Sequence, residues 1–381
     1  MAIAGTSVRS RLGDVSMLRF LDLGIIGAVY AICGLGLLMI YSSSRARLEG
    51  QGISPLYFVE RQVAAMFLGT ILMVVLVLVD YRKIRDFSLA GYALSVASLV
   101  LVLSPLGDRS KGTQGWFALP MGFQLQPSEF AKVFLIIGLA GFAYQFMGEF
   151  DARRLLLVLG IAAVPIGLVL LQPDLGTAMV LGVITLAVVA AAGARVRDLL
   201  VIGLIGLVAV VGVVKMGVLA EYQVNRLTSF ISPDADVSGA GYNTEQSKTA
   251  IGNGGLTGRG LFEGSQTEGA FVPEQHTDFI FTAVGEELGF AGAATLLLLF
   301  AFLVWRIWRS AALASDGFGT LVCIGVMAMF VFQIFENVGM TMGIMPVTGI
   351  PLPFMSYGGT SIMVSFAAIG LVLNIQMRRF S

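Results

Sequence analysis

Ten apolar segments dominate this sequence and constrain its fold more than any other feature. An α-helix needs about 20 mostly apolar residues to cross the ~30 Å hydrocarbon layer of a membrane. Segments of that kind lie at about residues 22–42, 62–80, 86–105, 129–147, 154–172, 175–194, 198–217, 285–305, 318–340 and 357–376. The sequence therefore predicts an all-α polytopic integral membrane protein, with ten transmembrane helices in one domain over residues 1–381.

The composition supports a membrane protein and excludes several other classes. Hydrophobic residues make up 56% of the chain and charged residues 13%, against roughly a quarter charged in soluble domains. The 24 basic and 24 acidic residues balance, so no nucleic-acid partner is expected. Cys33 and Cys323 lie in apolar runs, which argues against a disulfide framework. The single histidine, His276, cannot form a multi-histidine metal site, and no nucleotide-binding glycine motif occurs.

The distribution of Lys and Arg predicts the orientation, because cytoplasmic loops of membrane proteins are enriched in both. With the N-terminus inside, fourteen such residues fall in cytoplasmic segments: Arg9, Arg11, Arg19, Arg82, Lys83, Arg85, Arg153, Arg154, Arg195, Arg197, Arg306, Arg309, Arg378 and Arg379. Five fall in the short opposite loops: Arg45, Arg47, Arg61, Arg109 and Lys111. Both termini are therefore expected in the cytoplasm.

Two segments interrupt the pattern of spans and short turns. The connection at about 218–284 joins predicted transmembrane helices 7 and 8, and it is extracytoplasmic in this topology. Long loops in compact proteins are usually functional or disordered. The segment at about 345–361 contains Pro346, Pro351 and Pro353 followed by Gly358 and Gly359, so it cannot form a continuous helix. We expect a re-entrant or tightly packed element near the outer face, with a purely structural plug as the alternative.

Charged residues at membrane depth are costly and usually pair or function. Glu129 and Lys132 are three residues apart at a helix start, where they either form an intrahelical ion pair or line a polar cavity. Asp174 is expected to cap the helix that follows it. Glu286 and Glu287, and separately Glu336 with its neighbour Asn337, are each consistent with a proton or ion site or with a hydrated interior, and we favour the hydrated interior.

Several motifs together resemble one family. They are Gln126-Pro127-Ser128-Glu129-Phe130-Ala131-Lys132, Pro173-Asp174-Leu175-Gly176-Thr177-Ala178, Ala250-Ile251-Gly252-x-Gly254-Gly255, Pro273-Glu274-x-His276-Thr277-Asp278-Phe279-Ile280-Phe281, Gly285-Glu286-Glu287-Leu288-Gly289, Asn337-Val338-Gly339 and Met345-Pro346-Val347-Thr348-Gly349-Ile350-Pro351-Leu352-Pro353-Phe354. The chain resembles the SEDS family of bacterial integral-membrane peptidoglycan glycosyltransferases. Within that family, the run from Pro346 to Phe354 looks like the rod-shape member RodA rather than the division member FtsW.

The resemblance implies an activity, a location and partners. The expected reaction is polymerisation of lipid II, in which a glycan strand on undecaprenyl pyrophosphate is extended by one disaccharide during cell elongation. The expected location is the bacterial cytoplasmic membrane. The sequence contains no Ser-x-x-Lys acylation motif, and the resemblance implies a class B penicillin-binding protein as the crosslinking partner, docked through transmembrane helices, along with other elongation-complex membrane proteins.

The resemblance also implies site residues. Asp278 matches the family's catalytic aspartate and is the candidate general base, with an N-cap of the following helix as the alternative role. Its neighbour His276 could be a second polar contact, and Trp116 matches a family tryptophan that could stack on a sugar. Apart from the resemblance, the long loop offers Arg226, Lys248 and Arg259 as cations that could bind the diphosphates, with surface solvation as the alternative for each. Glu129 and Lys132 are further candidates for substrate binding.

Two questions stay open at this point. A divalent cation, Mg²⁺ or Mn²⁺, could bridge Asp278 and pyrophosphate by analogy with other phosphate-leaving reactions, but the sequence shows no cation site. A lipid II flippase would use charged cavity residues without needing a specific base, and a scaffold that only recruits a transpeptidase would need neither. Replacement of Asp278 distinguishes the three functions.

Overall fold

The computed structural model describes residues 20–110, 113–118, 123–215, 226, 230 and 240–380, and these are mostly helical. The helices are α1 Leu23–Gly50, α2 Tyr57–Leu78, α3 Tyr81–Asp86, α4 Ser88–Val102, α5 Pro127–Ala143, α6 Ala152–Leu171, α7 Leu175–Ala191, α8 Val196–Lys215, α9 Ala240–Gly254, α10 Ser265–Glu268, α11 Ile280–Glu287, α12 Gly289–Ala312, α13 Gly317–Thr341 and α14 Gly359–Met377. A short 3₁₀ turn, Tyr144–Phe146, continues α5.

Three short strands in the connection between α4 and α5 depart from the all-helical expectation. They are β1 Asp108–Ser110, β2 Thr113–Ala118 and β3 Gln124–Leu125, which pair antiparallel in the order β1-β2-β3. This connection is polar and rich in Gly, so it lacks the apolar period of a helix, and strand pairing satisfies its backbone groups instead. The sheet places Trp116 on β2, opposite Asp108 of β1.

Each of the ten apolar segments corresponds to one helix: α1, α2, α4 to α8 and α12 to α14. Within the described residues, seven helices are long and apolar enough to cross a membrane, namely α1, α2, α5 with its 3₁₀ turn, α6, α12, α13 and α14. Helices α4 and α7 are apolar but shorter, with 15 and 17 residues. The polytopic helical fold is confirmed, whereas the count of ten spans and the single domain stay predictions.

Helix α14 lies at the centre of the bundle, because every residue from Val364 to Met377 is buried. A helix that is apolar on all faces requires neighbours on all sides, and α2 packs closely against it. A side chain on Gly69 of α2 would meet Phe366 at 2.9 Å, and one on Gly370 of α14 would meet the backbone of Met73 at 2.9 Å. The two glycines therefore allow the helices to approach closely.

Polar contacts at one end of the bundle join the segments that the sequence assigns to the cytoplasm. Asp22, which precedes α1, accepts hydrogen bonds from Arg306 of α12 and, at 2.8 Å, from Gln376 of α14. Tyr81 of α3 bonds to Ser315 between α12 and α13 at 3.0 Å. The predicted grouping of these segments is consistent with the fold, while the side of the membrane that they face stays a prediction, and residues 1–19 lie outside the described residues.

The described part of the long loop contains α9, α10 and α11, and two buried carboxylates anchor it. Glu286 accepts hydrogen bonds from the N–H groups of Gln266 (2.7 Å) and Thr267 (2.9 Å). Glu287 accepts one from the N–H of Phe262 at 3.2 Å and one from Ser42 of α1. Neither carboxylate faces a hydrated interior, since both are satisfied by protein donors. The eighth predicted span accordingly begins at Gly289 rather than at residue 285.

Candidate active site

A cavity of about 370 Å³ opens at the end of the bundle opposite Asp22, where α2, α5, α7 and α14 begin. Its volume falls within the roughly 300–1,000 Å³ of typical ligand pockets. Its charged lining residues are Arg61, Glu129, Lys132, Asp174, Arg226 and Asp278. Residues Pro346 to Pro351 and Tyr357 to Ser361 form another part of the wall. The cavity thus brings together segments that are far apart in the sequence.

The Pro- and Gly-rich wall contains no helix or strand between α13 and α14, which confirms that it is not a continuous helix. Side chains of neighbouring helices satisfy its polar groups. Gln62 of α2 donates to the carbonyl of Ser356 (3.0 Å) and accepts from the N–H of Gly358 (3.2 Å). Thr348 donates to Glu336 of α13 at 2.6 Å. Irregular backbone is tolerated in a membrane protein where protein groups satisfy it in this way.

Asp278 lies in the turn that precedes α11, partly exposed to the cavity. The N-cap position of α11 is occupied by Phe279, which makes no side-chain cap hydrogen bond, so Asp278 is not the N-cap residue that the alternative requires. The carboxylate of Asp278 instead faces Gly349: a Cβ atom on Gly349 would lie 3.2 Å from Asp278 Oδ2. Because Gly349 has φ +78° and no side chain, its backbone can lie close to the carboxylate without a clash.

Two arginines bring positive charge to the cavity. A Cβ atom on Gly349 would also lie 3.5 Å from Nη1 of Arg226, which places this guanidinium on the same side as Asp278. Arg61 of α2 packs its guanidinium over the ring of Tyr57, 4.3 Å from the centroid, and near Phe123. Sequence reasoning counted Arg61 only as a loop charge. Its place at the edge of an apolar span was the available signal for a functional cation.

Glu129 and Lys132 satisfy both sequence interpretations. Lys132 Nζ lies 2.7 Å from Glu129 Oε1 within α5, their side chains are only 2% and 5% exposed, and both residues line the cavity. Asp174 also lines the cavity and caps α7 as predicted, accepting from the N–H of Thr177 at 2.9 Å. Burial raises the pKa of the Asp174 carboxyl, and the nearby charge of Glu129 acts in the same direction.

Five of the eight site residues predicted from the sequence line the cavity, and three lie elsewhere. Trp116, Glu129, Lys132, Arg226 and Asp278 line the cavity, whereas the remaining three do not. His276 is buried behind the wall with its ring 4.4 Å from that of Phe58. Lys248 pairs with Glu245 at 2.6 Å and lines a smaller neighbouring cavity of about 40 Å³ that Arg226 also reaches. Arg259 is exposed, and its N–H donates to the carbonyl of Glu286.

The donor set offers little to a metal ion. Among the residues that the structure describes, no group of three or more His, Cys, Asp and Glu side chains could hold one. Within this part of the chain, Asp278 would need ligands from a bound pyrophosphate to complete a coordination shell. A divalent cation that bridges Asp278 and pyrophosphate therefore stays a prediction.

Comparison with known proteins assigns the family. The model of the FtsW, RodA and SpoVE cell cycle proteins matches residues 24–380. The chain belongs to this family. It is 37% identical over 360 residues to the "Probable peptidoglycan glycosyltransferase FtsW" of Trichlorobacter lovleyi, covering 93% of this chain and 92% of that protein. It is 35% identical over 342 residues to the "Peptidoglycan glycosyltransferase MrdB" of Escherichia coli, covering 90% of each.

A solved structure described as "Structural coordination of polymerization and crosslinking by a peptidoglycan synthase complex" is also similar. It superposes with a TM-score of 0.79 at 31% identity, over 95% of this chain and 99% of the other. The SEDS resemblance is thereby confirmed, and so is the polytopic membrane fold. The similar proteins carry both division-type and rod-type names.

Proposed function

We propose that this chain is a peptidoglycan glycosyltransferase that polymerises lipid II, with Asp278 as the general base. One observation carries the proposal: Asp278 lines a cavity of ligand size together with Arg226, and the N-cap position of the next helix belongs to Phe279. Membership in a family with relatives named peptidoglycan glycosyltransferases supports the reaction class.

The proposed reaction is an inverting displacement at the anomeric carbon of the growing strand. Asp278 removes the proton from the 4-hydroxyl of the incoming lipid II as its oxygen forms the new glycosidic bond. The bond between the anomeric carbon and the pyrophosphate oxygen breaks, and the electron pair leaves with undecaprenyl pyrophosphate. One carboxylate suffices, because the leaving group departs as a stable anion without a general acid.

The cations of the cavity would stabilise the departing pyrophosphate, whose negative charge grows as the bond breaks. Arg226 is suited to this task because it lies on the same side as Asp278 and its guanidinium can bind two phosphate oxygens at once. Arg61, which also lines the cavity, supplies a second guanidinium. Lys132 contributes less net charge, since Glu129 neutralises it at 2.7 Å.

The same reasoning extends to location and partners. We propose that the chain resides in the bacterial cytoplasmic membrane with both termini inside, so that the cavity faces the extracytoplasmic side where the sugars of lipid II are exposed. A class B penicillin-binding protein would supply crosslinking, as the polymerisation and crosslinking complex of the similar structure suggests. The run from Pro346 to Phe354 supports a rod-type role in elongation.

Asp278→Asn tests the proposal, because the amide keeps the shape of the carboxylate but cannot accept the proton. Polymer formation from purified lipid II should fall by at least ~10²-fold, the usual scale of a lost general base. Asp316→Asn is the matched control, since Asp316 caps α13 at the other end of the bundle, and its polymerisation rate should be unchanged. A polymerisation rate near wild type for Asp278→Asn would refute the assignment of Asp278.

Lipid II translocation in vesicles, measured with the same variants, separates the alternatives. A flippase predicts that Asp278→Asn still translocates the substrate and that the wild type forms no polymer. A scaffold predicts that the wild type does neither and still binds the transpeptidase. If the wild type forms polymer and the Asp278→Asn variant does not, the transferase is supported.

A further inference from the structure

Asn337 of α13 connects two backbone segments at the cavity: the turn that contains the candidate base Asp278, and the segment Gly349–Ile350 that faces it. Its side-chain nitrogen donates one hydrogen bond to the carbonyl of Asp278 and one to the carbonyl of Ile350, each at 2.8 Å. The residue is fully buried, with 0% exposure. A carboxamide nitrogen carries two hydrogens, so both are used to hold these two backbone segments.

The orientation of this amide follows from its partners. Both groups that face the nitrogen are carbonyl oxygens, so the flipped amide would place an oxygen against two acceptors. In the observed orientation Oδ1 is buried, with no hydrogen-bond partner within the described residues. An unsatisfied buried acceptor destabilises the folded state. A residue that retains this cost is more consistent with a functional constraint than with optimal packing.

The two segments held by Asn337 are the ones whose separation sets the environment of the base. Asp278 lies on the first segment, and Gly349, next to Ile350, lies on the second. Asp278 Oδ2 would be 3.2 Å from a Cβ atom on Gly349, so little free space separates the segments. A change in their separation would move the carboxylate relative to any hydroxyl bound in the cavity.

We propose that Asn337 is a positioning residue, which fixes the main chain of Asp278 relative to the Gly349–Ile350 segment and so sets the distance over which the base removes the proton. This inference rests on the proposed function of Asp278. Because a misplacement of about 1 Å can cost ~10²-fold in rate, the loss of Asn337 should lower kcat while leaving the binding of lipid II nearly unchanged.

The chain offers a matched control in Asn374 of α14. This residue is also fully buried, and its side-chain nitrogen also donates to two backbone carbonyls, those of Leu76 and Val79. These contacts lie at the end of the bundle away from the cavity. Asn374→Ala should therefore destabilise the protein as Asn337→Ala does, without any effect on the rate constant of the folded enzyme.

The experiment measures steady-state polymerisation of lipid II and thermal unfolding for wild type, Asn337→Ala, Asn337→Asp and Asn374→Ala in one detergent. We expect kcat to fall about tenfold or more in both Asn337 variants, with KM within about threefold of wild type. The aspartate variant keeps the shape but presents lone pairs to two carbonyls. Asn374→Ala should keep kcat within about twofold. Equal losses of kcat in Asn337→Ala and Asn374→Ala, or an unchanged kcat in Asn337→Ala, would overturn the proposal.

A double variant tests whether Asn337 acts through Asp278. If it does, adding Asn337→Ala to Asp278→Asn should lower the residual rate by less than about threefold, because the base is already absent. A further loss as large as that of Asn337→Ala alone would indicate a general structural role and refute the inference. Failure of both Asn337 variants to fold would refute it as well, since Asn337 would then determine the fold rather than the position of the base.

The outcomes also separate this inference from the proposed function. An active Asp278→Asn variant refutes Asp278 as base, whatever Asn337→Ala does. An inactive Asp278→Asn variant beside a fully active Asn337→Ala variant refutes only the positioning role.

Discussion

The ion pair between Glu129 and Lys132 allows a quantitative prediction. The charged atoms lie 2.7 Å apart and the side chains are 5% and 2% exposed, so removal of one partner leaves the other charge buried without its ion-pair partner. Breaking such a pair typically costs about 3–5 kcal/mol in the free energy of unfolding, whereas replacing both partners by neutral residues of similar volume is often nearly neutral. We therefore expect Glu129→Gln and Lys132→Met each to destabilise the protein strongly, and the double variant to recover most of the loss.

The two single variants should not be equal, because Asp174 lies near the pair. Its carboxyl experiences the charges of both Glu129 and Lys132, in opposite directions. Lys132→Met leaves Glu129 beside a second carboxylate, whereas Glu129→Gln leaves Lys132 beside a carboxylate of opposite charge. Lys132→Met should therefore be the more destabilising change.

The assay is unfolding of the purified variants in one detergent, followed by denaturant and by temperature, with polymerisation measured in parallel. The double-mutant cycle isolates the interaction between the two side chains. A swapped pair, Glu129→Lys with Lys132→Glu, should recover part of the stability and activity that either single change removes. A coupling energy below about 0.5 kcal/mol, which is the usual limit of additivity, together with full activity of both single variants, would refute the reasoning.

Three further predictions follow from other parts of the structure. Burial raises the pKa of the Asp174 carboxyl in the folded state. Wild-type stability should therefore fall as the pH rises from the ordinary carboxyl pKa through the raised one. Asp174→Asn can still cap α7 and should flatten this dependence in melting curves recorded between pH 4 and pH 8. Gly349→Ala should cost about 1 kcal/mol or more and lower polymerisation, whereas Gly52→Ala, at a similar φ of +70° with open space around it, should cost stability alone. Cysteine introduced at the exposed residue Leu256 should react with an impermeant thiol reagent in intact cells and cysteine at Leu313 should not, and the reverse would refute the topology.

Sequence reasoning located the helices well because the membrane imposes a simple rule of length and apolarity. It was less accurate where that rule does not apply. The connection that contains Trp116 forms short strands, although its sequence shows no alternating apolar pattern that would predict them. For Glu286 and Glu287 the sequence favours a hydrated interior over a proton or ion site, but both carboxylates anchor the long loop through the backbone of residues 262–267. Partners so distant in sequence leave no local pattern.

The candidate site also shows that sequence patterns do not identify the partners of a side chain. Asp278, Trp116, Glu129 and Lys132 could be named from the sequence because they match residues of the family. Arg226 could be named because it is a cation of the long loop, and all five residues line the cavity. His276 belongs to the same motif as Asp278 but packs behind the wall. A motif therefore identifies a segment, while the fold decides which of its side chains line the cavity.

Asn337 was visible in the sequence as a polar residue inside an apolar span, yet its partners were not. Those partners are the carbonyls of Asp278 and Ile350, and every residue carries a carbonyl, so no residue type marks them. The amino-acid sequence therefore does not show which backbone carbonyls a buried side chain will contact. Because irregular backbone in a membrane protein must be satisfied by such contacts, the wall of this cavity depends on side chains that sequence motifs identify only as polar. Variants of buried amides facing the wall should therefore affect the reaction more than variants of the exposed loop cations, such as Arg259.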